Sequence, residues 1–189
     1  MSKDEQRNPK AGDLLISEPF LQDENFVRSV VLLCEHSEEG SFGLIINKQS
    51  ILKLGELVEE LAFLDKAVFV GGPVEQNTLH FIYVGEKVLD GSLSLGDNIW
   101  WGGDYESLVE KLKLGLLDHD SVRFFLGYSG WGAEQLDDEL SDETWIICRE
   151  ILNEQTFNLT PEQLWKSLLK NMGGEFKVIA NYPLDPRLN

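Results

Sequence analysis

The sequence is short of cysteine, of positive charge and of long apolar runs. Its two cysteines, Cys34 and Cys148, offer no disulfide framework and fit a reducing compartment. Sixteen Lys and Arg stand against 33 Asp and Glu, a formal net charge of -17. Binding to a polyanion draws its affinity from basic residues that replace counterions on phosphates, and no basic stripe is present, so direct nucleic-acid binding is disfavoured. Anionic membranes are disfavoured for the same reason. No stretch of about 18 apolar residues could serve as a membrane-spanning helix. The polar opening stretch, Met1 to Asp13, lacks the apolar segment of a signal peptide, which points to a cytoplasmic location.

The hydrophobic share, 42%, suffices for one sizeable core and excludes disorder throughout. Residues 1–11 read as a frayed tail and residues 12–189 as a single domain. Leu14 to Ile16 form a short strand-like run closed by Pro19. Arg28 to His36 and Phe42 to Asn47, linked by Ser37-Glu38-Glu39-Gly40-Ser41, read as an antiparallel pair. Val30 to Leu33 are apolar on both faces, so this strand should be covered on both sides. Leu54, Leu57, Val58 and Leu61 have helical spacing. Ala67 to Val70 and Leu79 to Val84 read as strands on either side of Gly71-Gly72-Pro73. Asp104 can cap a helix with the stripe Tyr105, Leu108, Val109 and Leu112. Val122 to Tyr128 and Thr144 to Cys148 are further strands, with a short acidic helix, Ala133 to Leu140, between them. Thr160, Pro161 and Gln163 form a capping-box start for a helix ending at Gly173-Gly174. Phe176 to Ala180 suits a terminal strand. Strands in hairpin-like clusters favour a mixed α+β domain over a doubly wound parallel sheet.

Candidate chemistry is sparse. In Gly127-Tyr128-Ser129-Gly130-Trp131-Gly132 a polar elbow stands among three glycines. It lacks the third glycine of a dinucleotide fingerprint, and Trp131 takes the place of the second glycine of a nucleophile elbow. A tight turn burying Tyr128 and Trp131 is the simpler reading. Cys34 and His36, two apart on a strand, should share a face, and a thiolate beside an imidazole is a catalytic unit. His80, His119 and Cys148 complete no zinc-binding spacing, and no metal or cofactor is expected. The acidic run Glu134, Asp137, Asp138, Glu139, Asp142 and Glu143 lacks the glycine and ligand spacing of a calcium loop and reads as a solvated face. Arg28, Glu35 and Asn47 flank apolar strands, and any of them that is buried needs a partner.

Five segments together resemble the YqgE/AlgH family of bacterial proteins: Gly12 to Pro19, Asp23 to His36, Gly43 to Asn47, Gly71 to Val74, and Gly127 to Trp131. The resemblance implies an α+β fold whose mixed, largely antiparallel sheet curls into an open, barrel-like core flanked by helices. It also implies a cytosolic protein. Members are labelled transcriptional regulators through a link to exopolysaccharide control, yet no agreed catalytic residues can be carried over. Pro19, Asp23, Asn25, Phe26, Arg28, Ser29, Glu35, His36, Asn47, Gly71, Gly72, Pro73, Gly127, Gly130 and Trp131 stand at motif positions. The chain lacks a helix-turn-helix and a basic surface, which argues against a regulator that binds DNA directly.

Three functions follow in order of preference. The first is a non-catalytic regulatory or binding protein acting through a protein partner or small ligand, with Arg28, Glu35, His36, Asn47, Gly71, Gly72, Ser129 and Trp131 as candidate contacts. The second is a small enzyme, for example a hydrolase, built on Arg28, Glu35, His36, Asn47 and Ser129. The third is a DNA-binding transcriptional regulator.

Overall fold

The computed structural model describes residues 8–96, 98–149 and 159–183. Its strands are β1 (Leu14–Ser17), β2 (Val30–Ser37), β3 (Gly40–Ile45), β4 (Gln49–Lys53), β5 (Ala67–Val70), β6 (Val74–Val84), β7 (Leu93–Ser94), β8 (Ile99–Trp101), β9 (Val122–Gly132) and β10 (Trp145–Cys148). The main path runs β10-β1-β2-β3-β9-β6-β8-β7, and β5 joins β9 to β4. All pairings are antiparallel except that of β5 with β9. The sheet does not close, and among the described residues five helices flank it: α1 (Leu54–Leu57), α2 (Tyr105–Lys113), α3 (Gln135–Ser141), α4 (Pro161–Met172) and α5 (Phe176–Ile179). The fold is thus mixed α+β with an open, barrel-like core.

Strand β2 is covered on both sides, as its unbroken apolar run requires. Val30, Leu32 and Cys34 join Leu164, Trp165, Leu168 and Leu169 of α4 in one cluster. Val31 and Leu33 join Leu136 and Leu140 of α3, with Trp131 and Trp145, in another. A third cluster sets Val68, Phe81, Tyr83 and Phe124 against Leu108, Val109 and Leu112 of α2. The caps of the two long helices differ. Asp104 accepts a hydrogen bond from the Ser107 N–H at 2.7 Å, satisfying one of the first-turn donors of α2. Thr160 occupies the N-cap of α4 without a side-chain cap bond, so the expected capping box is not made.

Several elements depart from the sequence reading, each for a physical reason. The spacing over Leu54 to Leu61 gives only the single turn α1 and a 3-10 turn at Glu59–Leu61, because Val58 between them is extended. Leu57 is left exposed. Phe176 to Ala180 pair with no strand among the described residues and form the short helix α5, whose Phe176 and Ile179 pack on the cluster shared with α4. The elbow at Ser129 is no turn: β9 continues through Gly132. Its glycines serve a close backbone crossing instead. Gly127 sits at φ +65°, and a Cβ there would stand 2.7 Å from the carbonyl oxygens of Gly72 and Val74. The register of β6 against β9 shifts between Val74 and Leu79, beside this crossing.

Candidate functional site

The bulge in β2 reorders the candidate residues. Leu33 pairs with Gly43 and Glu35 with Phe42, so Cys34 is an extra residue in the ladder. Directly opposed residues of an antiparallel pair share a face. Glu35 therefore lies on the face of Phe42, and His36, opposite Ser41, lies on the other. The expected sharing of a face by Cys34 and His36 is overturned. The Cys34 thiol is buried and donates to the Leu32 carbonyl, with sulfur 3.6 Å from the oxygen. Burial, and then the Glu35 charge, push its pKa well up, which opposes thiolate chemistry. His36 Nδ1 and Ser41 Oγ are 2.8 Å apart.

At the other end of β2 the polar candidates are consumed by backbone. Asn47 Oδ1 accepts from the Val30 N–H at 2.7 Å, while Nδ2 donates to the Arg28 carbonyl at 2.9 Å and the Pro161 carbonyl at 3.3 Å. One amide thereby ties β2, the end of β3 and the start of α4. Arg28 has a positive φ, +48°, and its guanidinium lies 4.9 Å over the Trp165 ring while Nη2 donates to the Tyr182 carbonyl. Burial lowers its pKa. Ser129 is wholly buried and donates to the Gly71 carbonyl at 3.1 Å. Gly71 and Gly72 let this segment cross β9: a Cβ on Gly71 would lie 2.2 Å from the Gly127 oxygen, and one on Gly72 2.2 Å from the Tyr128 carbonyl.

Trp131 is likewise committed to structure. Its indole N–H and that of Trp145 both donate to Glu139 Oε2, at 2.8 and 2.7 Å, and the Gln135 amide donates to Oε1 at 2.9 Å. The acidic run is therefore not all solvated face. Glu139, seven residues beyond Gly132, is a half-buried clamp on two tryptophans.

Two recesses adjoin the candidate residues. The larger, about 690 Å³, lies between the Glu24-Asn25 turn, the Asn47-Lys48-Gln49 link, Val70, Gly72 and the start of α4 at Thr160-Pro161. Asn25 is held by its own turn, its N–H and side-chain amide both donating to Asp23 Oδ1. Lys48 Nζ donates to the Glu24 and Asn25 carbonyls at 3.0 and 2.7 Å, and partial burial lowers its pKa. Lys48 and Thr160 were not singled out in the sequence as contacts. The position of Lys48 directly after Asn47, at the end of a motif strand, was the available signal. The second recess, about 520 Å³, opens beside Glu35, Glu39, Phe42, Tyr128 and Gly130.

The five residues of the hydrolase reading are not brought together. Arg28 and Asn47 stand at one end of β2, Glu35 and His36 on opposite faces at the other, and Ser129 inside the core. Among the described residues no group of three or more His, Cys, Asp or Glu could hold a metal ion. No described helix is long and apolar enough to cross a membrane.

The chain is similar to known proteins over most of its length. A UPF0301 protein of Cytophaga hutchinsonii is 46% identical over 179 residues, covering 94% of this chain and 98% of that one. A UPF0301 protein of Chlorobium limicola is 36% identical over 95% of this chain and 96% of its own. A crystal structure of a protein from Corynebacterium diphtheriae shares the fold with a TM-score of 0.79 at 21% identity, over 93% of each chain. The solution structure of the AlgH protein from Pseudomonas aeruginosa aligns with a TM-score of 0.69 at 27% identity, over 93% of this chain and 96% of that one. The AlgH-like family model matches residues 14–177, and the chain belongs to that family.

Proposed function

We propose that the chain is a non-catalytic cytosolic binding protein that acts in regulation through a ligand or partner segment seated in the Asn47 recess. One observation carries this reading. Asn25, Asn47 and Gly72, three motif positions from separate segments, line a single recess, whereas the groups a hydrolase would need are dispersed. The recess joins polar groups to an apolar floor of Ile45 and Val70, the mixture that small-molecule sites use. The net charge of -17 supports a partner other than nucleic acid.

The test is a native mass spectrum of the protein purified gently from its own cells, compared with the denatured chain and with the variant Gln49→Trp. Gln49 is exposed on the rim, so the indole fills the recess without disturbing the core. A retained mass should be present in the parent and lost from the variant at unchanged melting temperature. Retention in the variant overturns the placement, and a reproducible turnover abolished by one side-chain change overturns the non-catalytic reading.

A further inference from the structure

The second recess is a different chemical environment from the first. Its wall is aromatic. Phe42 stacks on Tyr128 with centroids 4.6 Å apart and 28° between planes, and on Trp101 at 4.8 Å and 30°. Gly130 stands opposite Phe42 in the β3–β9 ladder, and a Cβ there would press on the Tyr128 ring at 3.0 Å. Glycine at this position lets Tyr128 lie across the strand and leaves the recess open. His80 backs the wall edge-on to Phe42 and Tyr128, at 5.2 and 5.9 Å. Its Nε2 is buried without a hydrogen-bond partner, and burial lowers its pKa, so no competing positive charge stands behind the rings.

The rim is anionic. The bulge at Cys34 turns Glu35 onto the face of Phe42, and Glu39 reaches the same recess from the β2–β3 turn. Both are exposed, and neither carboxylate engages a hydrogen bond or ion pair among the described residues. Carboxylates that stabilise a fold are held by donors, as Glu139 is; these two are held by none. Aromatic faces attract cations through the ring quadrupole, and a pair of carboxylates supplies the long-range part of the same preference. The described residues offer no cluster of three ligands for a metal ion, and the recess is large enough for a cation that carries its own carbon shell.

We infer that the recess formed by Glu35, Glu39, Phe42 and Tyr128 is a binding site for a small organic ammonium ion, a quaternary or protonated alkylamine. The cation rests against the rings and its charge is balanced by the two carboxylates. This site is separate from the Asn47 recess and stands or falls independently of the function proposed there.

The experiment is a titration of the full-length, isotopically labelled chain, with amide shifts read by NMR. Tetramethylammonium chloride and spermidine are the probes. Equal ionic strength of sodium chloride controls for screening, and tert-butanol serves as a neutral ligand of similar shape. Saturable shifts at Glu35, Phe42 and Gly130 are expected with the two cations and not with the controls. Because both rim residues are exposed, the double variant Glu35→Gln, Glu39→Gln should keep the parent spectrum and bind about fivefold more weakly or worse. Tyr128→Leu should weaken tetramethylammonium by about as much. Absent shifts, equal shifts from tert-butanol, or undiminished binding by the double variant each overturn the site. So does binding of a lysine-containing peptide without binding of the free cations, which would make the occupant a protein.

Discussion

The two ends of the β2–β3 pair carry similar residues and use them in opposite ways. At the Arg28–Asn47 end the amide and the guanidinium are drawn into the fold: Asn47 spans three elements, and Arg28 covers Trp165, with Arg28 Nε and Ser29 Oγ left buried and unpaired among the described residues. At the Glu35 end two carboxylates are left to solvent beside stacked rings. Burial separates the two cases. A buried polar group without a partner costs more than its hydrogen bond would contribute, so Asn47 at the inner end uses both ends of its amide. The outer end has water as an alternative and can keep its charges uncommitted.

The comparison can be broken most severely at the backbone crossing that lies beneath both ends. Gly71→Ala would set a methyl 2.2 Å from the Gly127 oxygen, a backbone atom that cannot step aside. The expected cost exceeds ~4 kcal/mol, read as loss of a cooperative thermal transition. Asn47→Ala comes next. It strands the Val30 N–H and the Arg28 carbonyl and should cost ~2–4 kcal/mol in urea unfolding, whereas Glu35→Gln should stay within ~0.5 kcal/mol. Equal costs at these two positions would erase the distinction between the ends. The smallest effect concerns His80. Burial depresses its pKa in the folded state, so its neutral form contributes stability fully above the ordinary value of 6.5. That contribution declines as pH falls below 6.5, where only the unfolded chain takes up the proton. His80→Phe should therefore flatten the fall of melting temperature between neutral pH and mildly acid pH, measured by calorimetry.

Strands β1, β2, β3, β5, β9 and β10, the second half of β6, and α2 were legible because their signals are local: apolar runs, Asp104 at the cap, and polar links of turn length; β4, β7 and β8, short or exposed, were not. The failures share a cause. Glycine reads as a turn, but at Gly71, Gly72 and Gly127 it is required where one strand passes close over another, a contact between distant segments. The run Phe176 to Ala180 has strand-like composition, yet Phe176 and Ile179 pack as one helical turn on the cluster that α4 shares, a contact with a distant core. The site was partly legible. Asn47 and Gly72 were named and do line a recess. The bulge at Cys34 leaves no mark in the sequence, so the facing of Glu35 and His36 could not be read from their spacing. Glu139 was hidden among neighbours of the same charge, because its distinction lies in the two indoles that reach it.

Trp165 has a consequence for the order in which the molecule is made. Its indole N–H donates to the carbonyl of Ser17 at 3.0 Å, 148 residues back along the chain, and β1 meanwhile pairs with β10. Strand β1 is thus completed by a helix made 148 residues later. Until α4 has emerged, Leu14, Ile16, Val30 and Leu32 lack the cover of Leu164, Trp165, Leu168 and Leu169. Synthesis at about 5–20 residues per second leaves these side chains uncovered for several seconds in every round of translation. During that interval apolar strands stand uncovered on a chain whose acidic residues lie largely before α4, a charge that favours solubility.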